Sequence, residues 1–365
     1  MTLYRLIAQS RESQPNLLHE IVSLMEMPAE EIRELSSLQV PVHSLGMRRG
    51  IPSIRALLAL RRRLAASKCE LIQGWMYHGN IAASVAAPSS AAVLWGIHHS
   101  LDDVSNEKPL TRALLYVGPR LSKSASRIVY CSTQSARQHE LRGYQAAKST
   151  VIPNGVDTEQ FRPLPLAREA SRAELGIPLK AIVIGHAARF HPMKNHAGLL
   201  AAFRTVLTRN ADAFLVMAGM DVVPENRELT SQIAALGLDG RVRLAGQRTD
   251  MPRFMAALDL YVSPSSFGEA FPVILLEAMA CGLPCVTTDV GDSRAIVGNT
   301  GLAVLAGNES ALAEALHSLV AATPESRVAR GAEARERVRS EFSLSTMASR
   351  YLDVYSRVLA EAMPA

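Results

Sequence analysis

Cysteine is scarce, long apolar runs are missing, and each shortage removes a class of protein. Four cysteines in 365 residues, Cys69, Cys131, Cys281 and Cys285, are too few for a disulfide framework. The one close pair, spaced C-x-x-x-C, has no histidine-rich partner to complete a zinc site. All four are expected to be reduced, packing thiols. The longest apolar stretches, such as residues 91–97, fall far short of the ~18 residues a spanning helix needs. No charged, then apolar, then small-residue leader is seen, so a cytoplasmic protein without a transmembrane anchor is expected. Low-complexity tracts are missing too. With 48% hydrophobic and 20% charged residues, the composition excludes intrinsic disorder.

The length is about 2.4 times the ~150-residue prior for one domain, which favours two packed domains. A net charge of +5 conceals an asymmetry. Residues 1–165 hold 19 Lys and Arg against 13 Asp and Glu, whereas the remainder holds 20 against 21. A basic first half suits nucleic acid, an anionic membrane or an acidic substrate, and charge alone does not choose. Nucleic acid is disfavoured because aromatics are few and not interleaved with the basic residues.

Short β-branched runs alternate with longer helical stretches. Residues 19–24, 40–45, 69–74, 91–97, 127–131 and 149–152 read as strands with helices between them. Near-continuous apolar strands separated by amphipathic helices are the pattern of a doubly wound parallel sheet. The Pro/Gly/Asn-rich segment VIPNGVD at 151–157, followed by FRPLP at 161–165, reads as a linker. Alternation then restarts with a strand at 181–185, a helix at 197–207, a strand at 213–218, a helix at 225–236 and a strand at 241–244. Two helical stretches, 325–341 and 345–361, close the chain, the latter with Met347, Tyr351, Leu352 and Tyr355 at helical spacing. Residues 1–10 read as an amphipathic helix, with Leu3, Leu6 and Ile7 on one side. A doubly wound domain normally opens on a central strand ending in a Gly-rich turn. That strand is missing here; the favoured expectation is that an upstream segment supplies it, and the alternative is a degenerate chain with an incomplete cleft.

The most informative segment is FGEAFPVILLEAMACGLP at 267–284. Pro272 suits the start of a helix and Gly282 the position past its end, with a strand resuming at Cys285. A helix N-terminus facing the Gly268 loop is a natural phosphate site, because unpaired N–H groups and the dipole both favour anions. Glu269 and Glu277 are acceptors only, so they suit sugar and ribose hydroxyls on either side of a diphosphate. A second loop, GHAARFHPMKNH at 185–196, carries Arg189 and Lys194. Two fixed cations there would stabilise a departing diphosphate, each charge pair being worth about 4 kcal/mol before desolvation at 4 Å and an effective dielectric near 20.

Taken together, the two-glutamate segment, the Arg189/Lys194 loop and the VIPNGVD linker resemble the retaining glycosyltransferases of the group-1, or family 4, type. The resemblance implies a GT-B fold, two Rossmann-like doubly wound domains facing a cleft, here with a first domain lacking its first strand. It implies domains at 1–158 (acceptor side) and 159–343 (nucleotide-sugar donor), with the helix at 344–365 crossing back to the first. On this resemblance Arg189 and Lys194 take the diphosphate, Glu277 the ribose and Glu269 the sugar hydroxyls. Gly268, Phe271, Pro272 and Val273 supply backbone contacts, and Gly219 and Arg248 lie near the base. At the end of a first-domain strand, in WGIHHS at 95–100, His99 is favoured over His98 as a contact to the donor sugar or leaving phosphate, with His78 a weaker candidate. No metal is expected, in keeping with the missing Asp-x-Asp motif; a nucleotide-sugar is the co-substrate and no other cofactor is implied. The acceptor is expected to be a glycan or lipid-linked molecule of cell-envelope or exopolysaccharide synthesis.

Arg48, Arg49, Arg55, Arg61, Arg62, Arg63 and Lys68 lie on and around an amphipathic helix at 54–66. They read as a solvated face or as a docking surface for an anionic membrane. Ala295 stands where family members often carry an acidic residue. The alternatives are a non-catalytic GT-B partner subunit or, with less motif support, a nucleotide-sugar epimerase.

Overall fold

The computed structural model describes residues 2–48, 51, 53–102 and 104–362. Arg49 of the basic set and Met1 lie outside the described residues. The chain divides into two compact units, one holding residues 1–154 and 344–365, the other residues 155–343. The division falls at 154/155, inside the Pro/Gly/Asn-rich segment, and the C-terminal helix belongs to the first unit.

In the first unit the strands are β1 (Ile21–Ser23), β2 (Val42–Ser44), β3 (Leu71–Trp75), β4 (Ala92–Ile97), β5 (Arg127–Tyr130) and β6 (Ser149–Val151), all at the places the hydropathy pattern marks. They form two parallel sheets rather than one: β1 pairs with β2, and β3-β4-β5-β6 form a separate ladder. Among the described residues no strand precedes β1, and the helix Thr2–Ser13 occupies the start. A doubly wound sheet places its first strand centrally, which is the position from which β1 and β3 would be bridged.

The helix Leu344–Ala362 covers the four-stranded sheet. Its buried Met347, Ala348, Tyr351, Leu352, Tyr355 and Val358 recur at helical spacing and pack with Leu6, Leu94, Val129 and Ile152. Trp75 at the end of β3 stacks on Tyr351, with ring centroids 6.3 Å apart. Burying such a stripe contributes about 1.5–3 kcal/mol per large side chain.

The second unit contains β7 (Ile182–Ala187), β8 (Ala213–Ala218), β9 (Val242–Leu244), β10 (Leu260–Ser263), β11 (Cys285–Thr288) and β12 (Leu302–Val304). One parallel sheet results, in the order β12-β11-β10-β7-β8-β9. Its central strands are buried along nearly their whole length, as expected when helices cover both faces. Counted within the unit this is the 6-5-4-1-2-3 order of a Rossmann sheet. The winding reverses between β7 and β10, and ligands of such sheets bind outside the carboxyl ends of the strands at that reversal.

The helix Pro324–Glu341 passes so close to the loop after the helix Val273–Ala280 that a Cβ on Gly331 would lie 1.9 Å from the Gly282 carbonyl oxygen. Arg335 on the same helix donates to the carbonyls of Ala280, Phe161 and Thr158. It thereby satisfies a C-terminal carbonyl of the glutamate-bearing helix and ties the linker to it.

Candidate functional site

Three loops leave the carboxyl ends of neighbouring strands at the reversal point of the second sheet. The loop after β7 carries Arg189 and Lys194. Phe190 N–H donates to the Met220 carbonyl at 2.8 Å, and Gly219, with φ of +145°, lies against the Ala188 carbonyl. Gly219 therefore sits beside the cation loop itself. The loop continues through a short turn, Pro192–Lys194, into the helix His196–Arg209. Asn195, at φ of +53°, caps that helix by accepting from Gly198 N–H at 3.2 Å.

The loop after β10 carries Gly268 and Glu269. Gly268 has a positive φ of +78°, and a Cβ there would lie 2.5 Å from Met193 Sδ. Ser266 N–H donates to the Met193 carbonyl at 2.8 Å. Pro272 is the N-cap of the helix Val273–Ala280 rather than a residue of its first turn. Phe271 is buried against Phe342 with ring centroids 6.0 Å apart, so its side chain is core; Val273 is half-buried.

These loops bring Glu269 and Lys194 together as an ion pair, with both side chains largely buried. Ser265 Oγ donates to the same oxygen, Oε1, at 2.9 Å. Across the loop after β11, a Cβ on Gly291 would lie 2.2 Å from the Glu269 carbonyl oxygen, and Asp292 N–H donates to the Ala270 carbonyl at 3.2 Å. The Arg189 guanidinium is exposed and makes no hydrogen bond or ion pair among the described residues. Glu277 is half-buried in its helix. Beneath both glutamates lies Tyr261 of β10, fully buried, whose hydroxyl meets the Ala187 N–H and carbonyl at 3.2 and 3.3 Å. Burial raises its pKa, and the charges of Glu277 and Glu269 add to the rise. Tyr261 and Ser265 carry no motif signal of their own; only the strand order reveals them.

Arg248 is held by two carboxylates. Its guanidinium forms a two-point pair with Asp250, at 2.8 and 2.7 Å, and a third bond to Glu174 at 2.8 Å. Hydrogen bonding to Arg248 holds Asp250 below the usual carboxylate range.

In the first unit, both candidate imidazoles follow β4. His99 Nε2 lies 2.5 Å from Glu107 Oε1, and its carbonyl accepts from Ser135 Oγ at 2.6 Å. His98 instead stacks on Trp75, with centroids 4.9 Å apart and an interplanar angle of 18°, and desolvation lowers its pKa to about 4. His78 is exposed on the helix Met76–Ala86. Glu107, the partner of His99, was not marked by any sequence pattern.

In the second unit these charged groups gather at the winding reversal, the place where ligands of doubly wound sheets bind. A family model described as Glycosyl transferases group 1 matches residues 167–337, and one described as Glycosyltransferase Family 4 matches residues 12–160. Alpha-maltose-1-phosphate synthase of Mycolicibacterium smegmatis is 31% identical over 297 residues, covering 74% of this chain and 76% of that protein. The lipopolysaccharide core biosynthesis mannosyltransferase LpsB of Rhizobium meliloti is 29% identical, covering 59% of this chain and 63% of that protein. Other curated matches span as little as 35% of the relative's length. Among solved structures, Anabaena HepE in complex with UDP superposes with a TM-score of 0.83 at 21% identity, covering 97% of this chain and 96% of that one. The chain belongs to the group-1, family 4 glycosyltransferases, and its fold is GT-B.

Proposed function

We propose that this protein is a retaining glycosyltransferase that moves a sugar from a nucleotide-sugar to a glycan or lipid-linked acceptor in cell-envelope or exopolysaccharide synthesis. The observation that carries the reading is the Lys194–Glu269 ion pair at the winding reversal, with Arg189 exposed on the same loop as Lys194. Arg189 and Lys194 hold the diphosphate and stabilise the charge that develops as it departs. Glu277 accepts from the ribose, and Glu269 from the sugar. Backbone groups of Gly268, Phe271, Pro272 and Val273 line the helix N-terminus, while Gly219 and the Arg248 loop border the base. With its guanidinium held by Asp250 and Glu174, Arg248 acts by shaping that loop.

From the first unit, His99 contacts the donor sugar or leaving phosphate, its orientation fixed by Glu107. The acceptor hydroxyl attacks on the face from which the diphosphate leaves, so configuration is retained without a protein nucleophile. The two cations and the helix dipole supply the positive charge, and no metal is required. LpsB, a lipopolysaccharide core mannosyltransferase, favours an envelope acceptor.

The enzyme works in the cytoplasm, at the inner face of the membrane. Four cysteines in 365 residues are too few for a disulfide framework, which fits a reducing compartment. Among the described residues no helix is long and apolar enough to cross a membrane. Docking would fall to the basic helix Ile54–Ser67 instead.

Calorimetric titration with UDP, GDP and ADP tests the donor site, UDP first because HepE carries it. One nucleotide should bind and be lost in Glu277→Ala, with transfer abolished in Glu269→Ala and Glu277→Ala. Binding of none of the three would favour a non-catalytic partner subunit.

A further inference from the structure

The Glu269 carboxylate is 11% exposed and the Lys194 side chain 16% exposed, so each is the other's main source of charge compensation. A carboxylate this far from water is costly unless paired and hydrogen-bonded. Lys194 and Ser265 both donate to Oε1, and among the described residues no donor reaches Oε2. Arg189, by contrast, is exposed and unengaged. The two cations assigned to the diphosphate are therefore in different states: one is available, and the other is already held by the carboxylate assigned to the sugar.

We propose that the Lys194–Glu269 pair makes the site discriminate a nucleotide-sugar from the bare nucleoside diphosphate, an inference that rests on the donor-site reading above. A bare diphosphate docks on Arg189, but to recruit Lys194 it must draw the ammonium off Glu269 and leave a buried carboxylate with only the Ser265 hydroxyl as donor. A nucleotide-sugar does not incur that loss. As its phosphates draw Lys194 away, its sugar hydroxyls donate to Glu269, with Oε2 open to receive the first of them. After transfer the sugar is gone, Glu269 recaptures Lys194, and the grip on the departing nucleoside diphosphate weakens. Glu269 thus acts twice, as a hydroxyl acceptor toward donor and as a competitor for Lys194 against product.

The test is calorimetry of UDP and UDP-glucose, with the GDP and ADP pairs alongside, on the whole chain as wild type, E269Q, K194A and the double variant. Gln keeps the shape and removes the charge that holds Lys194. E269Q is expected to bind the nucleoside diphosphate at least about fivefold more tightly than wild type, at the lower end of typical coupling between sites, while its affinity for the nucleotide-sugar falls or stays level. The gain should vanish in the double variant, because it acts through Lys194. A glutamate that only holds the sugar leaves nucleoside diphosphate affinity unchanged in E269Q, and that result overturns the proposal while the donor-site reading stands. Failure of every nucleotide to bind wild type overturns both. Should E269Q fail to fold, Glu269→Asp, which withdraws the carboxylate by one methylene, is expected to shift nucleoside diphosphate affinity in the same direction.

Discussion

Gly219 shows how a single backbone position can govern a charged loop. Its φ of +145° is open to glycine almost alone, and an added Cβ would lie 2.0 Å from the Ala188 carbonyl oxygen and 2.9 Å from Arg189 N. Neither atom is a flexible side-chain end, so the strand exit itself has to move. Gly219→Ala is expected to destabilise the protein by about 2–3 kcal/mol in urea unfolding, at the upper end of overpacking costs, and to weaken nucleotide binding by displacing Arg189. Gly237, with φ of +66° and open space where its Cβ would be, is the control. Its replacement by Ala should cost only about 1 kcal/mol of backbone strain and leave nucleotide binding alone. Equal losses at the two positions would mean that the Gly219 contact carries nothing. The family resemblance implies a place for Gly219 near the base; the fold gives it the additional task of letting the loop after β8 pass against the cation loop.

The element with the clearest outward chemistry is the helix Ile54–Ser67. Ala56, Leu60 and Leu64 face the core, and Ser53 caps its start by accepting from Ala56 N–H at 3.2 Å. Ile54 and Leu58 are exposed beside Arg55, Arg61 and Arg62, and residues 48–69 contain no Asp or Glu. Arg63 is the exception among the arginines: it is tied to Glu20 at 2.6 Å and to His43, which anchors the helix to β1 and β2. An apolar pair flanked by unneutralised cations suits the interface of an anionic bilayer, each basic residue being worth about 1 kcal/mol there. The chain should co-sediment with vesicles of phosphatidylglycerol and phosphatidylcholine, and not with phosphatidylcholine alone. Exchanging Arg61 and Arg62 for Glu should lower that binding by an order of magnitude or more. Exchanging Arg63 should lower stability instead. Binding that ignores lipid charge would leave the arginines as an ordinary solvated face.

At the scale of the whole molecule, stability should depend on neutral buried histidines in both units. Burial is the main cause of lowered pKa values in each: to about 4 for His139, about 3 for His186 and about 4 for His196. His139 lies in the first unit, where Nδ1 is 2.7 Å from the Ser135 carbonyl and Nε2 is 2.9 Å from the Tyr77 hydroxyl, an arrangement that fits one donated and one accepted bond. His186 and His196 lie in the second unit with ring centroids 5.0 Å apart. Because the unfolded chain protonates these rings near pH 6.5 and the folded chain does so only near 3–4, the unfolded state binds more protons between those values. Stability is therefore full above about pH 7 and falls as pH drops from ~6.5 toward ~4, by about 1.4 kcal/mol per pH unit for each histidine in mid-window. Denaturant midpoints at pH 7.5 and 5.5 measure this. A midpoint that holds or rises on acidification would mean that these rings are charged in the fold.

Local alternation of apolar strands with amphipathic helices marked all six strands of the first unit and the opening strands of the second. It also marked both closing helices, because strand and helix periods are set by short-range sterics and by which face meets water, while Pro272 and Gly282 bracketed the helix of Glu277. The family followed from an ordered set of short motifs, each with its own chemical reason. Partners that come from distant segments were not legible in the same way. Lys194 meets Glu269 across 75 positions because β7 and β10 are neighbours in the sheet, and that adjacency is a property of strand order. The same holds for the engagement of Arg248 with Glu174 and of Arg63 with Glu20. It holds as well for the division of the first unit's strands into two sheets. The sequence by itself determined the elements, the fold class and which side chains carry charge. Only the tertiary structure decided which of those charges are paired and which remain available, since ion pairing depends on distances that strand order and packing impose.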